Sequence, residues 1–230
     1  MTTDVRKEPK TGPPAGAFLV LDGPDGGGKT TQASALAEWL RARGRTVITC
    51  RDPGGTAVGH RLRDLLLDRD SAPFGMRAEM LMFMASRAQL VEEVVRPALD
   101  RGEVVVSDRF LLASIVYQGM AGGLGVEEVG RVGWVATGGL APDLTIVLDV
   151  PTALARSRVG PSRDRMEDRP GAYHEQVRRG FLRAAEEARA GTCSYYPAAI
   201  TVVDASGAPD AVQRAIQSEV ERALALDSRP

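Results

Sequence analysis

The sequence is poor in the features that most simply mark a function. It carries only two cysteines, Cys50 and Cys193. They stand too far apart for metal-ligand spacing, so two free, half-buried thiols are expected. Its two histidines, His60 and His174, lie in charged helical neighbourhoods with no partner constellation and read as surface or packing residues. Net charge is almost lacking, at −1. That removes the electrostatic footprint of a nucleic-acid or anionic-membrane partner, so any anionic ligand must be held by a local arrangement of charge. No apolar run is long enough to span a bilayer. Arg6, Lys7 and Lys10 are not followed by the apolar stretch of a secretory signal. A cytoplasmic location is the expectation.

What is present reads as one α/β domain. Residues 1–16 mix Pro9, Gly12, Pro13, Pro14 and Gly16 with charges and bury too little apolar surface to order, so they read as a disordered extension before a domain spanning 17–228. Five short apolar runs follow: Ala17–Leu21, Thr46–Cys50, Val104–Val106, Leu144–Leu148 and Ile200–Val203. Continuous rather than alternating hydrophobicity suits strands covered on both faces. Between them lie helical patterns. Lys29–Arg43 places Ala33, Leu36, Ala37 and Leu40 on one side and stops at Gly44. Leu62–Leu67, a long stretch from Arg77 to Arg101 that tolerates Pro97, Tyr173–Ala190 and Pro209–Leu226 complete the set. Trp39 and Trp134 read as helix-packing residues. Alternating strands and helices imply right-handed crossovers and a five-stranded parallel sheet flanked by helices on both faces. Ligands of such sheets sit beyond the carboxyl ends of the strands.

The loop after the first strand is Gly23-Pro24-Asp25-Gly26-Gly27-Gly28-Lys29-Thr30. It has the spacing G-x-x-x-x-G-K-[ST], after a strand and opening a helix, which is the context this motif requires. Glycines let successive N–H groups point at phosphate oxygens, and the helix N-terminus adds partial positive charge there. Lys29 is expected to reach the β- and γ-phosphates of a nucleoside triphosphate, and Thr30 to offer a hydroxyl to Mg²⁺.

Two more loops leave the same sheet edge. Arg51, before Asp52-Pro53-Gly54-Gly55-Thr56, could bind phosphate bidentately or simply be solvated. Asp108 could hold the magnesium shell with Arg109 neutralising phosphoryl charge, or the two could form a surface ion pair. Phe83 and Arg87 are four apart, so they share a helical face. They could stack on a base and bond its edge, or serve as core and solvent residues.

Taken in order, these pieces resemble the bacterial thymidylate kinases over roughly residues 17–225. The stretches that carry the likeness are Asp22–Thr31, Arg51–Thr56, Leu81–Arg87, Asp108-Arg109-Phe110, Tyr117-Gln118-Gly119, Ala141–Thr145, Leu148-Asp149-Val150 and Asp164–Glu167. The resemblance implies the P-loop nucleoside monophosphate kinase fold and transfer of phosphate from ATP to dTMP with Mg²⁺ held at Thr30 and Asp108. Gly23 to Thr31 would bind ATP. Phe83 would stack on thymine and Arg87 would bond a base carbonyl, with Ser114 and Gln118 beside them. Arg51 and Arg109 would hold the dTMP phosphate, Asp25 would sit near the 3′-hydroxyl, and Tyr117 would crowd the 2′ position. A mobile lid would run from about 156 to 167. Gly26 stands where one branch of the family has a catalytic Arg, so the similarity is to the other branch, whose lid supplies that charge. Arg158 and Arg163 are the candidates, acting with Lys29, Asp108 and Arg109. Asp52 stands where Glu is usual. The family is usually homodimeric, which suits the broadly apolar helices between Leu62 and Leu99.

Two readings compete: another nucleotide or small-metabolite kinase of the same architecture, against which Phe83, Arg87 and Tyr117 argue, and a nucleotide-dependent switch or regulatory binding module. The Asn-Lys-x-Asp guanine reader of GTPases does not occur in the sequence.

Overall fold

The computed structural model describes residues 16–160 and 164–224. The expectations placed on residues 1–15, on Arg163 and on the end of the domain past residue 224 lie outside the described residues.

Five strands form one wholly parallel sheet: β1 (Ala17–Asp22), β2 (Val47–Arg51), β3 (Val104–Asp108), β4 (Leu144–Asp149) and β5 (Ile200–Asp204). Their order is β2-β3-β1-β4-β5. β1 is central and every one of its residues is buried, which is why its apolar run is continuous. Alternate side chains serve two cores. Phe18 and Val20 face one layer with Val105, Phe110, Val116 and Phe181, while Leu19 and Leu21 face the other with Leu36, Leu40, Ile146 and Ile216. The register sets Arg51 opposite Asp108, and Leu21 opposite the same Asp108 from the other side. Three loops therefore leave the sheet side by side.

The helices are α1 (Lys29–Arg41), α2 (Ala57–Leu67), α3 (Met76–Leu90), α4 (Arg96–Asp100), α5 (Leu111–Ser114), α6 (Val126–Thr137), α7 (Thr152–Arg158), α8 (Gly171–Arg189) and α9 (Pro209–Ala223). Helix α2 starts five residues before the pattern indicated, because the Thr56 hydroxyl caps it by accepting from Gly59 N at 2.9 Å. The long stretch from 77 to 101 is not one α-helix. A π-helical turn at Val91–Val95 separates α3 from α4, and Pro97 sits in the first turn of α4, where its missing N–H costs least. Trp134 is not a packing residue: it is half exposed, with its ring lying over Gly139.

Candidate active site

The phosphate loop curls through three glycines with positive φ, Gly23 at 127°, Gly26 at 78° and Gly28 at 81°. Gly28 opens α1 without a side-chain cap, so the first N–H groups of that 13-residue helix are free to meet an anion. Lys29 is buried and its Nζ donates to the Pro24 carbonyl at 2.7 Å, closing the loop on itself. Burial and the nearby Arg109 guanidinium pull its pKa down to about 8. Thr30 Oγ1 donates to Asp108 Oδ2 at 2.6 Å, so the two expected magnesium-binding groups are adjacent.

Arg109 follows β3 and is the one non-glycine residue among those described with positive φ, at 71°. Such a conformation persists only when its surroundings over-determine it. Here the backbone N–H donates to Leu21 O at 2.9 Å and the Ser107 hydroxyl donates to its carbonyl at 2.7 Å. The guanidinium donates to Gly23 O at 2.8 Å, to Asp22 Oδ1 at 3.3 Å and to Asp25. Tyr117 closes the cluster, its hydroxyl donating to Asp25 Oδ2 at 2.8 Å. Burial alone would raise the Asp25 pKa, but Arg109, Lys29 and the Tyr117 hydrogen bond hold it at about 2. Asp22 is different. Burial dominates over Arg109 and the Gly23 N–H and pushes it up to about 6, and its Oδ2 is buried without a partner.

A cleft of about 590 Å³ opens beside this cluster. All eight residues expected around the acceptor nucleotide line it: Asp25, Arg51, Phe83, Arg87, Arg109, Ser114, Tyr117 and Gln118. Arg87 is wholly buried at its inner end. It donates to Asp52 Oδ2 at 2.5 Å, Ser114 Oγ at 3.0 Å and Phe110 O at 3.2 Å. The Asp52 carboxylate is as deeply buried, and burial raises its pKa against the pull of Arg87. Arg51 is half exposed at the mouth, with Nε 3.8 Å from Asp108 Oδ2.

Sequence reasoning did not single out Arg63, Asp164 or Glu167, which also line the cleft. Arg63 sits on α2 and donates to Pro53 O at 3.0 Å. Asp164 and Glu167 cap one another: Asp164 Oδ1 accepts from Glu167 N at 2.9 Å, and Glu167 Oε2 accepts from Asp164 N at 3.1 Å. The only available signal was their place in the stretch Asp164–Glu167.

Of the lid, α7 packs onto the phosphate loop and is tied to α8 by Thr152 Oγ1 donating to Glu175 at 2.6 Å. Arg158 points away from both clefts, donating to Ala205 O at 2.8 Å and Ser206 O at 3.2 Å in the loop after β5. Arg156 instead lines a second cleft with Pro24, Asp25, Glu167 and His174. His174, read as surface or packing, stands there with Nε2 3.2 Å from Glu167 O.

The family described as Thymidylate kinase matches residues 21–216. A thymidylate kinase of Caldanaerobacter subterraneus subsp. tengcongensis is 40% identical over 210 residues, covering 91% of this chain and 97% of the relative. One from Desulforudis audaxviator is 47% identical over 173 residues, covering 74% and 78%. The crystal structure of thymidylate kinase from Ehrlichia chaffeensis aligns with a TM-score of 0.70 at 24% identity, covering 90% of this chain and 99% of that one, and so shares its fold.

Proposed function

Because the chain belongs to the thymidylate kinase family and phosphorylates dTMP to dTDP, we propose that ATP is the donor, that Mg²⁺ accompanies it, and that the phosphoryl group passes directly in line. One observation carries this reading. Side chains from β2, α3 and the segment after β3 converge on one cleft, and Asp25 of the phosphate loop stands in its wall. Donor and acceptor phosphates would meet at Asp25, Lys29 and Arg109.

The acceptor phosphate is already ionised at neutral pH, so its oxygen attacks without a general base. Catalysis is then positioning and charge neutralisation. Gly23 to Thr31 cradle the donor phosphates, with Lys29 leaving the Pro24 carbonyl for the β- and γ-oxygens. Arg51 and Arg109 hold the acceptor phosphate, Arg51 from the exposed mouth and Arg109 from a fixed position on the loop. Phe83 stacks on the base, Arg87 and Gln118 meet its edge, and Tyr117 and Asp25 flank the sugar. The Thr30 hydroxyl and the Asp108 carboxylate are hard oxygen donors placed together, which fits magnesium. When bound, the ion neutralises charge on the donor phosphate oxygens. The remaining charge comes from the lid, by Arg158 turning from the Ala205 and Ser206 carbonyls or by Arg163.

Val58 and Leu65 on α2, Leu81 on α3, and Trp134 and Val135 on α6 are exposed apolar residues on helices that pack side by side. They support a homodimer, which light scattering at micromolar concentration tests. No helix among the described residues is long and apolar enough to cross a membrane, and a cytoplasmic location is part of the proposal. The decisive assay is a panel of dTMP, dUMP, dCMP and dGMP with ATP, with and without Mg²⁺. Preference for dTMP and dependence on the ion are expected; equal use of all four acceptors would overturn the acceptor-site assignment.

A further inference from the structure

Glu79 lies on α3, is almost completely buried, and touches neither phosphate site. Its carboxylate collects donors from three places. Oε1 accepts from Gln118 Nε2 at 2.9 Å, and Oε2 accepts from Arg165 Nη2 at 2.9 Å and Arg169 Nη2 at 2.6 Å. A carboxylate between two guanidinium groups can only accept. The amide nitrogen of Gln118 must therefore face Glu79, and its oxygen must face the other way. That oxygen is buried and has no partner, although Gln118 lines the acceptor cleft. A buried acceptor left unmatched is costly, and a ligand that supplies a donor relieves the cost.

The same carboxylate staples the C-terminal end of the lid and the residues just after it. Arg165 Nε donates to Leu66 O at 3.1 Å and its guanidinium lies 3.6 Å over the Phe74 ring. Arg169 bonds and covers Tyr173, whose hydroxyl donates to the Tyr117 carbonyl at 2.7 Å. Asp164, Met166 and Glu167, on this stapled segment, form one wall of the acceptor cleft.

We propose that Glu79 is a positioning residue for base selection: by fixing the Gln118 amide it presents a single oriented acceptor to the cleft, and by holding Arg165 and Arg169 it seats the wall that closes over the bound nucleotide. The inference rests on the reading of the cleft as the dTMP site. Arg87 supplies a donor and Gln118 an acceptor, which complements the C4 carbonyl and N3–H of an imide base. Cytosine reverses both groups and leaves a buried acceptor facing an acceptor.

The test compares kcat/KM for dTMP and dCMP in wild type, Glu79→Gln, Gln118→Leu and the double variant, with thermal denaturation as the control for folding. A neutral amide at position 79 lets Gln118 turn over, so each single variant lowers the dTMP:dCMP ratio by roughly ten- to a hundredfold. The double variant falls no further than Gln118→Leu, because both act on one interaction. A Glu79→Gln protein that loses turnover equally on both substrates while keeping the ratio overturns the proposal, as does an additive double variant. A wild type that does not discriminate at all sinks the acceptor-site reading instead. If Glu79→Gln does not fold, the Gln118 side-chain amide protons of the wild type decide by NMR. They are expected to be protected from exchange before dTMP is added, and rapid exchange overturns the proposal.

Discussion

Gly26 of the phosphate loop and Ala155 of α7 are packed so closely that no side chain fits between them. A Cβ built on Gly26 would stand 2.2 Å from the Ala155 carbonyl oxygen. The position is doubly restricted, since its φ of 78° also disfavours any residue with a side chain. The resemblance read from the sequence would put a catalytic Arg at this position in another branch of the family. In this chain the backbone of α7 fills that space, so an arginine cannot enter without lifting the helix.

Gly26→Ala should therefore unseat α7 rather than leave the loop unchanged. We expect stability to fall by about 1–3 kcal/mol from the left-handed backbone and the clash together. We also expect cleavage by protease within residues 152–160 to speed up and kcat to drop about tenfold or more. Limited proteolysis followed by mass spectrometry checks the site of opening. An unchanged cleavage pattern would show that α7 does not rest on this glycine.

Lys29 is the only lysine after residue 10, and the loop holds it over the Pro24 carbonyl. Lys29→Met should leave the fold intact and reduce turnover by orders of magnitude, as expected for loss of a charge at the transferred phosphate. Circular dichroism and a coupled assay check this together; near-normal turnover would remove Lys29 from the chemistry.

Asp52 and Arg87 form a buried pair at the inner end of the cleft, 0% and 1% exposed at their side chains. Removing one partner strands the other charge. Asp52→Ala should cost about 3–5 kcal/mol in urea denaturation, and adding Arg87→Met should recover much of it while abolishing dTMP binding. A double variant no more stable than the single one would contradict this account.

The strands were legible because a sheet buried on both faces leaves uninterrupted apolar runs, and the phosphate loop was legible because its whole geometry is local. The acceptor residues were legible only through family likeness, since nothing in the spacing of Arg51, Phe83 and Tyr117 says that they converge. Arg63 was missed because α2 turns Val58 and Leu65 outward and buries little, blurring its period. Glu79 was missed because a glutamate in the first turn of a helix usually faces water. Its burial depends on Gln118, Arg165 and Arg169, between 39 and 90 positions away. The break in the 77–101 helix was invisible because a π turn changes the backbone bonding without changing the hydrophobic pattern.

Asp22 is held at a pKa of about 6, above its ordinary 3.8, because burial outweighs the attraction of Arg109. The sign of the linkage follows. Below the ordinary value both folded and unfolded chains carry the proton and the group contributes nothing relative to that limit. As pH rises, the unfolded chain releases its proton first, so stability falls until the folded carboxyl also ionises near its raised value. The loss amounts to about 3 kcal/mol for a shift of this size. Asp22→Asn has no such proton to lose. The stability of the variant relative to wild type should therefore improve by about 2–3 kcal/mol between about pH 4 and about pH 7. Denaturation curves at both values measure it. A difference that stays flat across this range, or that moves in favour of wild type, would mean that Arg109 and not burial governs this carboxyl, and that its unpartnered oxygen is not the liability its surroundings make it.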